Sequence, residues 1–140
     1  VVEQDLLVYL QNRETDSVGA VTAFQLIEHL RPQTLVQLMD ETLRVLKPGG
    51  VVIFETPNPE NLMVGACHFY TDPTHHNPIP PATARHLLEA RGFADCEILR
   101  RHPCDATLRA QDITDAGLPT LVRLLYGEQD YAVIGYKAGL

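Results

Sequence analysis

A carboxylate and an imidazole stand side by side at Glu28-His29, and a second imidazole follows at His75. Such a pair can serve as base and orienting partner for a hydroxyl. The near-neutral pKa of histidine suits His75 to removing a proton from a sugar or phosphate hydroxyl. Asn58, Tyr70 and Asp72 lie in the same stretch and are the polar side chains best placed to face such an acceptor. Local structure offers competing explanations. A capped turn packing His29 against the following helix accounts for the Glu-His pair, and Asp72-Pro73-Thr74-His75 has the composition of a self-capping turn. His68, His86 and His102 belong to no pattern and are expected at the surface. There is no G-x-S-x-G, no P-loop and no paired Cys/His metal spacing.

The elements that must carry these groups alternate between helical and extended patterns, which favours an α/β domain. The 140 residues are 45% hydrophobic and 21% charged, enough for one domain, 1–140, with a core and unlike a disordered or fibrous chain. No apolar run reaches the roughly 20 residues of a membrane span. A net charge of −7 disfavours nucleic-acid partners. Cys67, Cys96 and Cys104 are odd in number and read as buried or half-buried apolar residues in a reducing, cytoplasmic setting.

Val1-Val2-Glu3 reads as the end of a strand and Asp5 to Asn12 as a short helix. Val18 to Phe24 is a continuous apolar run of the kind found in strands covered on both faces. Gln25 to Leu30 is expected to form a helical turn. A helix from Pro32 to about Leu46 follows, with Leu35, Met39, Leu43 and Leu46 on one stripe and Asp40 paired with Arg44. Pro48-Gly49-Gly50 reads as a tight break before a buried strand, Val51 to Glu55. Thr56 to Pro81 holds six of the ten prolines, so it reads as irregular, and a loop that long in a compact domain is usually functional. A helix from Pro80-Pro81 to Arg91 stops at Gly92, with Leu87 and Leu88 inward. Strands are expected at Asp95 to Arg100 and, in the sheet interior, at Tyr131 to Lys137, with a helix from Pro119 to Tyr126 between them; Pro103 to Gly117 has no clear pattern.

Three motifs in this order resemble the second half of a class I S-adenosylmethionine-dependent methyltransferase. They are VGAVTAFQLIEHL (Val18–Leu30), LRVLKPGGVVIFETPN (Leu43–Asn58) and LLEARGF (Leu87–Phe93). The segment Phe54–Pro78, FETPNPENLMVGACHFYTDPTHHNP, looks like a subgroup often attached to bacterial glycosyltransferase or sugar-polymer proteins. The resemblance implies a Rossmann-like α/β sheet of neighbour order 4-5-7-6, truncated, with the last strand antiparallel between its neighbours. It implies S-adenosylmethionine as cofactor, with Asp5 at the adenine amino group and Leu6 beside the ring. Ala23, Phe24 and Gln25 would lie beside the sulfonium and the incoming nucleophile. For Asp5 a helix N-cap is an equally good explanation, and Phe24 packed under the sheet is the alternative to a cation–π role. Gln25, His29 and His75 become the catalytic candidates, and Asn58, Tyr70 and His75 the substrate-binding ones.

Some families of this class that methylate hydroxyls hold a divalent metal with Glu-x-x-Glu-His and a later His, here His75 or His76. This chain has Gln25 in place of the first acid, a weak ligand, so no metal is expected. The family's glycine-rich cofactor turn and ribose-binding acid are missing, since the first glycine is Gly19 on a later strand. The chain, which does not open on Met, therefore reads as an excised C-terminal portion that binds the cofactor weakly and is inactive alone. Its exposed edge, Val18–Phe24, would be covered in a homodimer or swapped assembly. The acceptor expected for the whole enzyme is a saccharide or related hydroxyl. A noncatalytic interaction module with the same fold is the alternative from another class. A nucleotide-sugar dehydrogenase or epimerase would show Tyr-x-x-x-Lys, which is absent. The reading frame upstream of Val1 should encode an apolar strand, a glycine cluster and an acid about 20 residues later; sequencing that frame checks it.

Overall fold

The computed structural model describes residues 3–104 and 118–139. Val1, Val2 and most of the 103–117 segment lie outside the described residues. A four-stranded sheet is built from β1 (Val18–Phe24), β2 (Leu46–Pro57), β3 (Ala94–Pro103) and β4 (Glu128–Tyr136) in the order β1-β2-β4-β3. β1 and β2 are parallel, and β4 runs antiparallel to both β2 and β3. This is the expected 4-5-7-6 arrangement with the last strand inside. β4 earns that position by being apolar on both faces: Tyr131 and Val133 are fully buried on one, and Ala132 is buried on the other.

Helices α1 (Leu6–Gln11), α2 (Pro32–Val45) and α4 (Pro81–Arg91) share one core with the sheet. Leu35, Leu38, Met39 and Val45 of α2 meet Val52 and Phe54 of β2, because those positions recur at helical spacing on one side and at strand spacing on the other. Asp5 caps α1 by accepting a hydrogen bond from the Val8 amide at 3.0 Å. Gly92 ends α4 in the left-handed conformation at φ 100°. Arg44 joins α2 to the end of α1 by donating to the Leu10 and Arg13 carbonyls, each at 2.9 Å. No helix among the described residues is long and apolar enough to cross a membrane.

Several expectations are corrected. β1 lies at the sheet edge, as expected, but Val18–Phe24 is not covered on both faces: within it Ala23 alone is buried, and Gly19, Ala20, Thr22 and Phe24 are exposed. An apolar run reports strand propensity, not the number of layers over it. Asp40 does not pair with Arg44. It forms a two-point ion pair with Arg91 of α4, while Arg44 binds Glu41. Pro48-Gly49-Gly50 does not separate helix from strand but lies within β2, at a break in register with β1. Glycine is required there: Gly49 has φ +76°, and a Cβ on Gly50 would stand 2.8 Å from the Lys47 carbonyl. Cys67 is exposed, unlike Cys96.

Thr56 to Pro81 is less irregular than its prolines suggest. It contains α3 (Leu62–Ala66) and a 3-10 turn at His68–Thr71. Asn61 caps α3 through its side-chain oxygen and ties it to the Gly127 carbonyl through its amide. The far end of the segment is fastened by Tyr131, whose buried hydroxyl donates to the Ile79 carbonyl at 2.8 Å. Burial pushes that phenol well above the ordinary tyrosine range, so it remains a donor at all physiological pH. Tyr131→Phe leaves the Ile79 carbonyl without its partner and should cost about 1–3 kcal/mol in urea unfolding. An unchanged unfolding midpoint would show that the bond does not hold the loop.

Candidate functional site

The candidate groups gather at the carboxyl ends of β1 and β2, where ligands bind in open α/β sheets. After Phe24 the chain turns sharply through Gln25, at φ 51°, and enters a 3-10 turn, Ile27–His29. Ile27 is completely buried and acts as the plug of this turn, which carries Glu28 inward beside it. Glu28 has no solvent exposure. Its Oε2 accepts from the Thr56 hydroxyl at the end of β2, at 2.8 Å, while its Oε1 is buried with no hydrogen-bond partner.

The loop delivers His75 to that unpartnered oxygen. The His76 amide donates to the Glu28 carbonyl at 2.8 Å, pinning loop to turn. The adjacent His75 ring lies between His29, at 4.6 Å between centroids, and Phe69, at 4.5 Å. His75 Nδ1 is 2.6 Å from the Phe69 carbonyl. A carbonyl only accepts, so Nδ1 carries the proton and, in the neutral ring, Nε2 keeps its lone pair. That Nε2 lies 3.9 Å from Glu28 Oε1 and 3.9 Å from Asp72 Oδ2.

His29 is set the same way. The Thr74 hydroxyl donates to Asp72 Oδ1 at 2.6 Å and must therefore accept from His29 Nδ1, 2.9 Å away. His29 Nε2 then faces Glu28 Oε1 at 3.9 Å. Asp72 also accepts from the Thr74 amide, and these two Thr74 bonds hold its carboxyl below the usual range. The self-capping turn is thus present, and it is what orients His29. The His29 ring lies edge-on against the His75 ring, with Nδ1 bonded to Thr74. Glu28, His29 and His75 place their ligating atoms within 4.8 Å of one another.

The other candidates divide. Gln25 donates through Nε2 to Asp130 Oδ1 at 3.1 Å, and Asp130 with His75, Phe69 and His68 lines a cleft of about 200 Å³. Phe24 is 59% exposed, so its ring does not pack under the sheet. Ala23 is buried and Leu6 packs against the core. Asn58 is 2% exposed with its side chain engaged: the amide donates to the Glu128 carbonyl and Oδ1 accepts from the Glu60 amide. Tyr70 is 63% exposed, and His76 is exposed beside the cluster. His68, His86 and His102 are at the surface, as expected, and His102 pairs with Asp130 at 3.0 Å. Sequence reasoning missed Thr56 and Thr74, whose roles arise from contacts across 28 and 45 positions, and Asp130, reached from Gln25 across 105. A neutral hydroxyl carries no signal in the sequence; only the charge of Glu28 hinted that a partner was needed.

A model of the methyltransferase domain matches residues 5–98, more than half of the chain. A probable S-adenosylmethionine-dependent methyltransferase of Mycolicibacterium smegmatis is 40% identical over 77 residues, 55% of this chain and 29% of that protein. The chain thus spans under a third of that relative. Among solved structures, an S-adenosylmethionine-dependent methyltransferase from Archaeoglobus fulgidus superposes with a TM-score of 0.87 at 30% identity, over 98% of this chain and 67% of the other. An arsenic(III) S-adenosylmethionine methyltransferase from Chlamydomonas reinhardtii shares the fold, with a TM-score of 0.58 at 20% identity over 98% of this chain and 43% of its own.

Thr56→Val strands the second Glu28 oxygen in the interior and should cost about 1–3 kcal/mol. Thr42→Val removes a buried hydroxyl that already lacks a partner and should be neutral or stabilising. Urea titrations of the two variants check the contrast, and equal losses would refute it.

Proposed function

The chain belongs to the methyltransferase-domain family, and from that premise we propose that it is the C-terminal portion of an S-adenosylmethionine-dependent methyltransferase acting on a hydroxyl of a saccharide or related small molecule. The observation that carries the acceptor chemistry is the pair of imidazole Nε2 atoms, each 3.9 Å from a buried carboxylate oxygen, at the end of the parallel strands. An amine acceptor is already nucleophilic once neutral, whereas a hydroxyl needs its proton taken.

The cofactor supplies an electrophilic methyl group on a sulfonium. The chain's residues fit its neighbourhood: the exposed Phe24 ring at the end of β1 offers an aromatic face for a sulfonium. Asp5 caps α1 with Oδ1, which leaves Oδ2 for an adenine amino group, with Leu6 next to it. Ala23 and Gln25 flank Phe24, and Gln25 is held by Asp130. His75, with His29 in support, takes the acceptor proton at Nε2, and the Glu28 carboxylate stabilises the imidazolium that results. Tyr70 and the cleft beside His75 receive the acceptor, while Asn58 shapes the end of β2. The open edge at Val18–Phe24 is where further strands, or a second copy in a homodimer or swapped assembly, would pair. A cytoplasmic location and a link to glycosyltransferases belong to the same reading.

The alternative, a noncatalytic module with this fold, is separated by calorimetry with S-adenosylmethionine. Binding by the longer reading frame and weak or no binding by this chain supports the proposal; no binding by either supports the module. In the longer enzyme, His75→Gln should lower kcat with a hydroxyl acceptor by about 10²-fold or more, read with an isotope-labelled methyl donor. Full activity in that variant would remove His75 from the chemistry.

A further inference from the structure

We infer that the cavity bordered by α3, by the helix α5 (Leu118–Tyr126), by Arg100 of β3 and by the first residue of β4 binds an uncharged saccharide unit, apart from the cleft at His75. Its role as a subsite for a part of the acceptor that does not react rests on the proposed function; the binding itself does not.

The cavity has a volume of about 620 Å³, within the roughly 300–1,000 Å³ of small-molecule sites. Most such sites are lined mainly by apolar side chains. This one presents Glu60, Arg100, Arg123 and Glu128. Beneath them lies a fixed floor. Asn58 and Asn61 are each 2% exposed, and their amides donate to the carbonyls of Glu128, at 3.0 Å, and Gly127, at 2.9 Å. Their side-chain oxygens accept from the Glu60, Met63 and Val64 amides. These bonds tie α3 to the chain entering β4, so Glu60 and Glu128 stand on backbone that is already ordered before a ligand arrives.

The mixture of charges selects the ligand class. Two guanidiniums and two carboxylates border the cavity, so their charges cancel. An anion would meet Glu60 and Glu128, and a cation would meet Arg100 and Arg123. A hydroxyl both donates and accepts, so a polyhydroxyl ligand answers carboxylates and guanidiniums alike and brings no charge that needs a partner. Arg100 is set for this by Glu60, whose Oε2 and Oε1 accept from its Nε and Nη2 at 2.8 and 3.0 Å. An exposed pair of this kind adds little stability. It does hold the planar guanidinium in place, and it does not engage Nη1. Leu124 adds an apolar surface for the C–H groups of a sugar ring. The cavity and the His75 cleft share a wall: Pro57, Val64 and Gln129 line the cleft, and their near neighbours Asn58, Asn61 and Glu128 line the cavity. Adjoining sites suit a saccharide of more than one unit, in which the bound, unreacting unit helps to orient the one that reacts.

The test is titration of the full chain, without cofactor, with the methyl glycosides of glucose, mannose, galactose and rhamnose and with inorganic phosphate. Saturation-transfer NMR reads the glycosides, and the Nε–H signals of isotope-labelled Arg100 and Arg123 read the cavity. At least one glycoside should bind saturably and shift both arginine signals, and phosphate should shift neither. Arg123→Gln and Glu128→Gln leave the asparagine bonds in place, so both should fold, yet each should weaken that glycoside at least tenfold. Arg85→Gln on α4, outside the cavity, should change nothing. No saturable binding by any of these glycosides, unchanged affinity in either cavity variant, loss of binding in Arg85→Gln, or a response of the arginines to phosphate in place of sugar would each overturn the assignment. With no cofactor present, none of these outcomes depends on whether the longer enzyme transfers a methyl group.

Discussion

A carboxylate with no access to water is the constraint around which this end of the molecule is organised. Burying an ion without a partner is costly, so Glu28 dictates what may lie near it. One oxygen is met by Thr56, which ties the turn after β1 to the end of β2 and reinforces a parallel pairing that already aligns Phe24 with Glu55. The other oxygen faces the Nε2 edges of two imidazoles, each at 3.9 Å. The 56–81 segment arrives because it is fastened at both ends, by Asn61 to the Gly127 carbonyl and by Tyr131 to Ile79. The fold thus spends its core packing on holding a polar cluster at the open end of the sheet.

The same logic explains why β4 matters to the site although it contributes little chemistry. It separates β2 from β3, fills the core with Tyr131 and Val133, and delivers Asp130 to the strand end. Asp130 holds both Gln25 and His102 through its two oxygens. Close packing behind it is demanding: a Cβ on Gly135 would stand 3.2 Å from both Cys96 Sγ and Phe93 Cβ. A sheet interior this tight gives the strand ends little freedom to drift.

Elements written in local signals were legible from the residues alone. Helix α4 begins with two prolines and ends on a left-handed Gly92, and β4 is apolar at consecutive positions, so their type and place follow from a few neighbouring side chains. The family resemblance was carried by motifs of the same short range, and the sheet order it implied is the order observed. What could not be read are choices between adjacent residues and between distant partners. His75 turns inward with Nδ1 at the Phe69 carbonyl, while the neighbouring His76 donates its backbone amide to the Glu28 carbonyl. Asp40 prefers Arg91, 51 residues away, to Arg44 on its own helix. The open edge of β1 followed from the strands that the resemblance implied to be missing, but the exposure of its faces was hidden, because an apolar run looks the same in a covered and an uncovered strand. Thr56 and Thr74 gave no warning of the two hydrogen bonds on which the cluster depends.

The central claim is that both imidazoles are held with Nδ1 protonated and Nε2 bare toward Glu28. A long-range proton–nitrogen correlation spectrum of metal-free protein with isotope-labelled histidine, at about pH 8 and so above the ordinary histidine range, reads this directly. The account predicts the Nδ1–H form for His29 and His75. Finding either ring in the Nε2–H form would mean that it donates to the buried carboxylate, and the arrangement described for this site would be wrong.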